Sequence, residues 1–110
     1  MSVKEENVID GIGIDKDTNT LVFLITDPFT WVVQEYDHLK AIQTKINNYV
    51  RYIESHGYKE HYRQRDFDSF RIEIVFKYQY TNNGEAFLRA GGKQLREKNI
   101  DFVYSVAKAD

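Results

Sequence analysis

The chain contains no cysteine. Disulfides, thiolate catalysis and cysteine-ligated zinc are therefore excluded together. That composition fits a reducing compartment, and a cytoplasmic location is expected. Long hydrophobic runs are also missing. The longest, Leu21 to Ile25, is the size of a strand and far below the ~20 residues of a membrane span. The first residues, MSVKEENVIDG, carry acids where a secretory signal needs basic residues followed by an apolar core. Neither a signal nor a membrane segment is expected. An excess of one charge is absent as well. Lysine and arginine total 15 against 17 acids, for a net charge of −2. Such a chain has no global attraction to nucleic acid or anionic membranes, so any such binding would have to come from a local patch.

What is present is the composition of a water-soluble globular domain. The 110 residues, 42% apolar and 29% charged, suit a single domain spanning 1–110 with its own core. Aromatic residues make up 15%, which points to large packed faces or interfaces.

The longest periodic segment runs from Val32 to His56. Its apolar positions are Val32, Val33, Tyr36, Leu39, Ile42, Ile46, Tyr49, Val50 and Ile53. Steps of three and four predict an amphipathic helix. About 25 residues at 1.5 Å each would make a rod of roughly 37 Å. Thr30 is the expected N-cap and Gly57 takes the place of a C′ glycine. Ahead of the helix, Val8 to Asp15 alternates and reads as a strand. Gly11 and Gly13 in it suggest close packing by a neighbour. After a polar turn, Thr20 to Thr26 is a second strand, and the five-residue link predicts an antiparallel hairpin. This second strand is apolar on both faces, as strands covered on both sides are.

Beyond the helix, Tyr58 to Asp68 is charged and aromatic without a period, hence a loop with room for one helical turn. Ser69 to Gln79 alternates cleanly and predicts a half-buried strand. Asn82 with Glu85 resembles a capping box opening a second helix to about Lys98. Gly91 and Gly92 in its middle cost about 1 kcal/mol each against alanine. Ile100 to Val106 is the last strand. Residues 1–7 and 107–110 are expected to be loose.

The order β-β-α-β-α-β predicts an α+β fold, a two-layer α/β sandwich. A four-stranded mixed sheet would carry two helices on one face, because right-handed crossovers put them there. Strand orders 2-1-3-4 and 1-2-3-4 both satisfy the pattern. The opposite face would then be bare, carrying Val22, Leu24, Val75 and Val103 among Arg71, Glu73 and Lys77. Bare apolar surface of this kind marks interaction sites.

Three stretches carry a resemblance: VIDGIGIDKDTNTLVFLITD, DHLKAIQTKINNYVRYIES and RIEIVFKYQYTNNGEAFL. Together they resemble a family of small bacterial proteins built on a domain of unknown function. The similarity runs from Val8 to about Asp101. Ile9-Asp10, Ile14-Asp15-Lys16, Ile25-Thr26-Asp27, His38-Leu39 and Lys45-Ile46-Asn47 with Tyr49 carry it. Pro28-Phe29-Thr30 and the loop from Tyr58 to Arg65 are particular to this chain. The resemblance implies the same β-β-α-β-α-β plan and brings no activity, cofactor or site residue with it.

Residue clusters add candidates. Asp10, Asp15, Asp17 and Asp27 crowd the first hairpin, where Asx turns account for them better than a Mg²⁺ or Ca²⁺ site does. His38 falls with Gln34, Ala41 and Lys45 on the helix face that is mostly polar, so a solvated or capping histidine is expected. A catalytic His38 would need a partner carboxylate held by the fold, and Asp27 is a candidate only through folding. His56, Glu60 and His61 are too loosely spaced for zinc. Gly11-Ile12-Gly13 and Gly91-Gly92-Lys93 lack the context of phosphate-binding loops. Tyr58, Lys59, Tyr62, Arg63 and Arg65 interleave rings with cations, the mixture that binds single-stranded nucleic acid. The expectation from sequence is thus a non-enzymatic interaction protein without cofactor or metal. It would self-associate or bind a protein partner through Val22, Leu24, Val75 and Val103. Nucleic-acid binding through residues 58–65 is the alternative, and a small hydrolase-type enzyme using His38 is a third.

Overall fold

A computed structural model describes residues 9–31, 34–60, 62 and 65–107. The expected elements are present in the expected order. They are β1 (Gly11–Asp15), β2 (Thr20–Asp27), α1 (Glu35–Glu54), a short 3₁₀ turn (Gly57–Glu60), β3 (Ser69–Phe76), α2 (Asn82–Glu97) and β4 (Ile100–Val106). One four-stranded sheet has the order β1-β2-β3-β4, which decides between the two arrangements left open by the sequence. The β1–β2 pair is antiparallel, and β2–β3 and β3–β4 are parallel. The expected looseness of residues 1–7 and 108–110 lies outside the described residues. Ala107 is described, and its N–H donates to the Phe76 carbonyl at 2.8 Å.

Register shows which face the helices cover. Phe23, Ile72 and Phe102 are partners across three strands and so share a face. Tyr49 of α1 packs on Phe23, and Gly92 of α2 sits against Phe102. Both helices therefore lie on one side, as a two-layer α+β sandwich requires. The core between the layers holds Leu21, Phe23 and Ile25 of β2, Ile72, Ile74 and Phe76 of β3, and Ile42, Ile46, Tyr49 and Ile53 of α1.

Element ends differ from the expected ones for local reasons. Helix α1 has 20 residues, so it spans about 30 Å. Val32 and Val33 lie outside the described residues. Gln34, not Thr30, is the N-cap. It stands in the left-handed region at φ 60° and offers no side-chain cap. The chain ahead of it is committed elsewhere, because Trp31 is buried. At the other end the left-handed residue is His56 (φ 61°), and Gly57 has no positive φ. Gly57 is required for space instead, since a Cβ there would come within 2.6 Å of the Tyr52 ring. Helix α2 is capped one residue earlier than the Asn82 box suggests. Thr81 Oγ1 accepts the Gly84 N–H at 3.0 Å. Strand β3 stops at Phe76, so Lys77 and Gln79 lie past its end and are exposed.

Three glycines of α2 have three different surroundings. A Cβ on Gly84 would stand 2.6 Å from the Trp31 indole, on Gly92 it would touch Phe102 at 3.4 Å, and on Gly91 it would meet nothing within 4 Å. Only Gly84 is therefore held by a neighbour. Gly91→Ala is expected to stabilise the protein by about 1 kcal/mol through helix propensity, seen as a Tm rise of ~4 °C. Gly84→Ala is expected to lose about 1–3 kcal/mol, because the indole must shift. Thermal denaturation of the two variants beside the parent measures both, and equal effects would contradict the assigned contacts.

Candidate functional site

Two acids sit on the helix side of the sheet, and each meets a base from α1. Asp10 precedes β1. Its Oδ1 receives Lys45 Nζ at 2.6 Å, and both side chains are closed to solvent. Asp10 Oδ2 accepts the Thr26 N–H at 2.9 Å, continuing the β2 ladder just past the last β1–β2 pair. The Asp10 N–H donates to the Tyr49 hydroxyl at 3.0 Å, which donates in turn to the Leu24 carbonyl at 2.9 Å. Burial, assisted by the nearby Asp10 carboxylate, pushes the Tyr49 phenol up to about 12.

Asp27 closes β2. Its Oδ1 accepts the Phe29 N–H at 3.1 Å in an Asx turn over Pro28. Its Oδ2 lies 2.5 Å from His38 Nε2. The His38 ring is 3% exposed and stacks under Trp31, with centroids 4.2 Å apart. His38 is thus neither solvated nor a cap. The face expected to be polar turns inward because His38 and Lys45 find buried carboxylates there. One signal could have found this. Residues 38, 42, 45 and 49 are spaced four, three and four, so both bases lie in register with Ile42 and Tyr49.

A carboxylate that fixes a histidine ring is the arrangement of a general base. Here the other nitrogen, His38 Nδ1, is buried without a hydrogen-bond partner, as is Trp31 Nε1. Both ring nitrogens are thus closed off, Nε2 by Asp27 and Nδ1 by burial, and the pair ties β2 to α1.

The hairpin acids therefore divide. Asp15 and Asp27 perform the expected turn chemistry, accepting the Asp17 and Phe29 N–H groups at 3.1 Å each, while Asp10 and the second oxygen of Asp27 are buried partners of bases. Among the described residues no group of three or more acids and histidines could hold a metal ion. His61 of the weighed zinc cluster lies outside them.

The opposite sheet face carries the predicted interface residues. Val22 pairs with Gly13 and Arg71, Leu24 with Gly11 and Glu73, Glu73 with Val103, and Thr26 with Val75. Val22, Leu24, Val75 and Val103 thus share one face, and Val103 is 46% exposed. Over β1 this face is hollow. A groove of about 410 Å³ is lined by Gly11, Gly13, Asp15, Val22, Leu24 and Glu73, with Ile12 and Ile14. Arg71 lies between two carboxylates, Asp15 at 3.2 Å and Glu73 at 3.4 Å. Its hydrogen bond holds the Asp15 carboxyl below its usual range. Burial works against the Arg71 charge, but the two acids outweigh it and push its pKa up.

The basic-aromatic loop is used differently from what its composition suggests. Tyr58 is 5% exposed and packs on Phe67 and Phe70, at 5.9 and 5.2 Å. Its ring is not free to stack on a base, so the alternative nucleic-acid site at residues 58–65 loses its first platform. Tyr62 stands edge-on to Phe67 at 5.7 Å, and the Arg65 guanidinium lies 5.6 Å above the same ring. Lys59 faces Asp66 at 3.9 Å. Arg63 lies outside the described residues. The rings extend the core where charge alternation in the sequence had suggested a ligand surface.

Fold and surface together define a two-layer α+β domain with one uncovered, partly apolar sheet face. By sequence the chain belongs to the family of unknown function DUF6572, which it matches over residues 1–108. The expected family and its β-β-α-β-α-β plan thus hold, over more of the chain than the stretch that suggested them. No curated protein and no solved structure matches it. No helix among the described residues is long and apolar enough to cross a membrane.

Two outcomes are expected of the buried network. Lys45→Met leaves Asp10 buried opposite an apolar side chain and should cost about 3–5 kcal/mol. Adding Asp10→Asn should recover part of that loss, and a double-mutant cycle by urea denaturation measures the coupling. The folded state also holds the Tyr49 proton more tightly than the unfolded chain does. Stability is therefore intact below pH ~10 and falls as pH rises toward about 12. The loss should reach at most ~2–3 kcal/mol. Tyr49→Phe should flatten this alkaline limb, leaving the smaller slope due to Tyr52 and Tyr58, which burial also raises. An unchanged limb would contradict the assignment.

Proposed function

We propose that the protein is a non-enzymatic binding module that docks a protein partner on the uncovered sheet face, at Val22, Leu24, Val75 and Val103. One observation carries this. Gly13 lies on that face with no positive φ and with nothing within 4 Å of where its Cβ would be. The chain's own fold does not require glycine there. In a strand interior glycine weakens the strand, and a common reason to keep it is close approach by something else.

Surface charge favours a different protein over a second copy. The face carries Asp15, Glu73 and Asp101 against Arg71, so two copies laid face to face would repel. Two copies joined edge to edge through β1 would set glycine against glycine, or against Asp15, and leave the groove empty. A partner offering bulky apolar side chains with a neighbouring cation fills the groove and meets its acids. Apolar contact would supply affinity, and the acids would fix orientation.

Gly13→Trp lays an indole over the groove, and because a Cβ there meets nothing within 4 Å and Gly13 has no positive φ, its melting temperature should be no lower than the parent's. Parent and variant are compared as baits in extracts of the native host, with sedimentation equilibrium of each alone. A monomeric parent whose captured partner is lost in Gly13→Trp is the expected result. If both baits retain the same proteins, the sheet face is not the docking site. A parent dimer that Gly13→Trp dissociates would replace the foreign partner with a second copy.

A further inference from the structure

The cations and rings that the sequence suggested for the loop after α1 are assembled elsewhere. Helix α2 carries Arg89, Lys93 and Arg96, spaced four and three residues apart and therefore on one helical face. Beside them runs the edge strand β4, whose Phe102 and Tyr104 turn toward the helix layer and are half-buried. Between helix and strand lies a groove of about 640 Å³, lined by Arg89, Lys93, Arg96, Gly92, Phe102 and Tyr104, together with Leu88 and Ala90. Gly92 stands against the Phe102 ring, which a Cβ there would meet at 3.4 Å. The rings form a short ladder, Tyr80 to Tyr104 at 5.7 Å and Tyr104 to Phe102 at 5.6 Å.

The charges of this groove are poorly matched from within. Two acids share this helical face: Glu85 holds Arg89 at 2.5 Å, and Glu97 ends the helix one turn beyond Lys93. Among the described residues Lys93 and Arg96 have no ion pair and no side-chain hydrogen bond. Both are exposed, so this face carries three cations against Glu85 and Glu97, a small positive excess on a chain whose net charge is −2. The protein as a whole has no pull on polyanions, and this groove is the local patch that such binding would need.

We infer that the α2–β4 groove is a binding site for single-stranded nucleic acid. Arg89, Lys93 and Arg96 face its phosphates, and Tyr104 with Phe102 supports its bases. The chemistry decides among polyanions. An acidic protein segment would use the three cations and leave the rings idle. A membrane surface would need apolar side chains standing proud of the cations, whereas Phe102 and Tyr104 lie below them. A single strand uses both halves, because every base presents a face to an aromatic ring while its phosphates track the basic rim. A duplex would keep its bases stacked inward and away from the rings. The groove is at the opposite edge of the sheet from the Gly13 hollow, so it neither requires nor excludes a protein docked there.

The probe is a fluorescein-labelled oligothymidylate of about twelve nucleotides, titrated with the intact protein at low salt and read by fluorescence anisotropy. Binding should weaken with salt on a log–log slope near −2, about 0.7 for each of three phosphates. The double variant Lys93→Glu, Arg96→Glu should lose about tenfold or more in affinity, with an unchanged melting curve because both side chains are exposed. Tyr104→Leu should also lose about tenfold through stacking. In parallel, ¹⁵N shift changes with the parent should centre on residues 89–104 and do not depend on any variant folding. Absence of binding, or binding indifferent to the charge reversal, overturns the inference. Equal affinity for poly-aspartate, with Tyr104→Leu without effect, overturns it in favour of an acidic protein segment.

Discussion

Two carboxylates buried on the helix side of the sheet dictate where the long helix lies. Asp10, just ahead of β1, and Asp27, at the end of β2, are placed by strand geometry side by side at the open end of the hairpin, on its inner face. Each would cost several kcal/mol if left charged and unpaired away from water. His38 and Lys45 answer them from positions seven residues apart, about two turns or ~10 Å along α1. Sliding the helix by one turn, or rotating it by one residue, would separate both pairs at once. Apolar packing alone tolerates such shifts far better, since leucine or isoleucine in a neighbouring hole loses little. The acid–base pairs therefore select one docking of α1 from several that the hydrophobic stripe would accept.

The constraint propagates toward the second helix. Asp27 orients His38, and Trp31 stacks on that imidazole. Seating the indole there brings it against the first turn of α2, where only Gly84 leaves room. Thr81, the cap of α2, closes the circuit by donating to Glu35 Oε1 at 3.2 Å in the first turn of α1. The starts of both helices and the ends of β2 and β3 are thus joined through side chains with few alternatives. Histidine beside aspartate in such a setting resembles catalytic machinery by composition. Its sealed second nitrogen and aromatic cover give it the work of a joint.

On the proposed reading, recognition falls to two surfaces that the fold leaves unfinished, one on each side of the sheet. The bare sheet face has apolar residues, a hollow over two glycines and a slight acidic excess. The α2–β4 edge has three cations above two rings. These chemistries are opposite and lie at opposite edges, so one molecule could engage two different partners at once. Neither surface is strongly charged, in keeping with a chain that is close to neutral.

Much of the architecture was legible in the sequence because it depends on periodicity. Alternation in Ser69 to Phe76 and the three–four spacing from Leu39 to Ile53 fix element type through short-range geometry alone. Element order then fixes the two-layer class and leaves the sheet face with Val22, Leu24, Val75 and Val103 uncovered. Strand order required pairing across the whole chain, which no local pattern encodes. His38 and Lys45 read as polar surface because a charged residue looks the same whether it meets water or a carboxylate brought from 11 or 35 positions away. Tyr58 read as a ligand platform for the converse reason, since its neighbours Phe67 and Phe70 reach it only after the chain turns back. Composition determined a cysteine-free, nearly neutral chain, and periodicity with element order determined its α+β class. Tertiary structure alone decided which charges are buried and paired and which are left to meet a partner, because burial is a property of what lies alongside in space and not of what lies next in the chain.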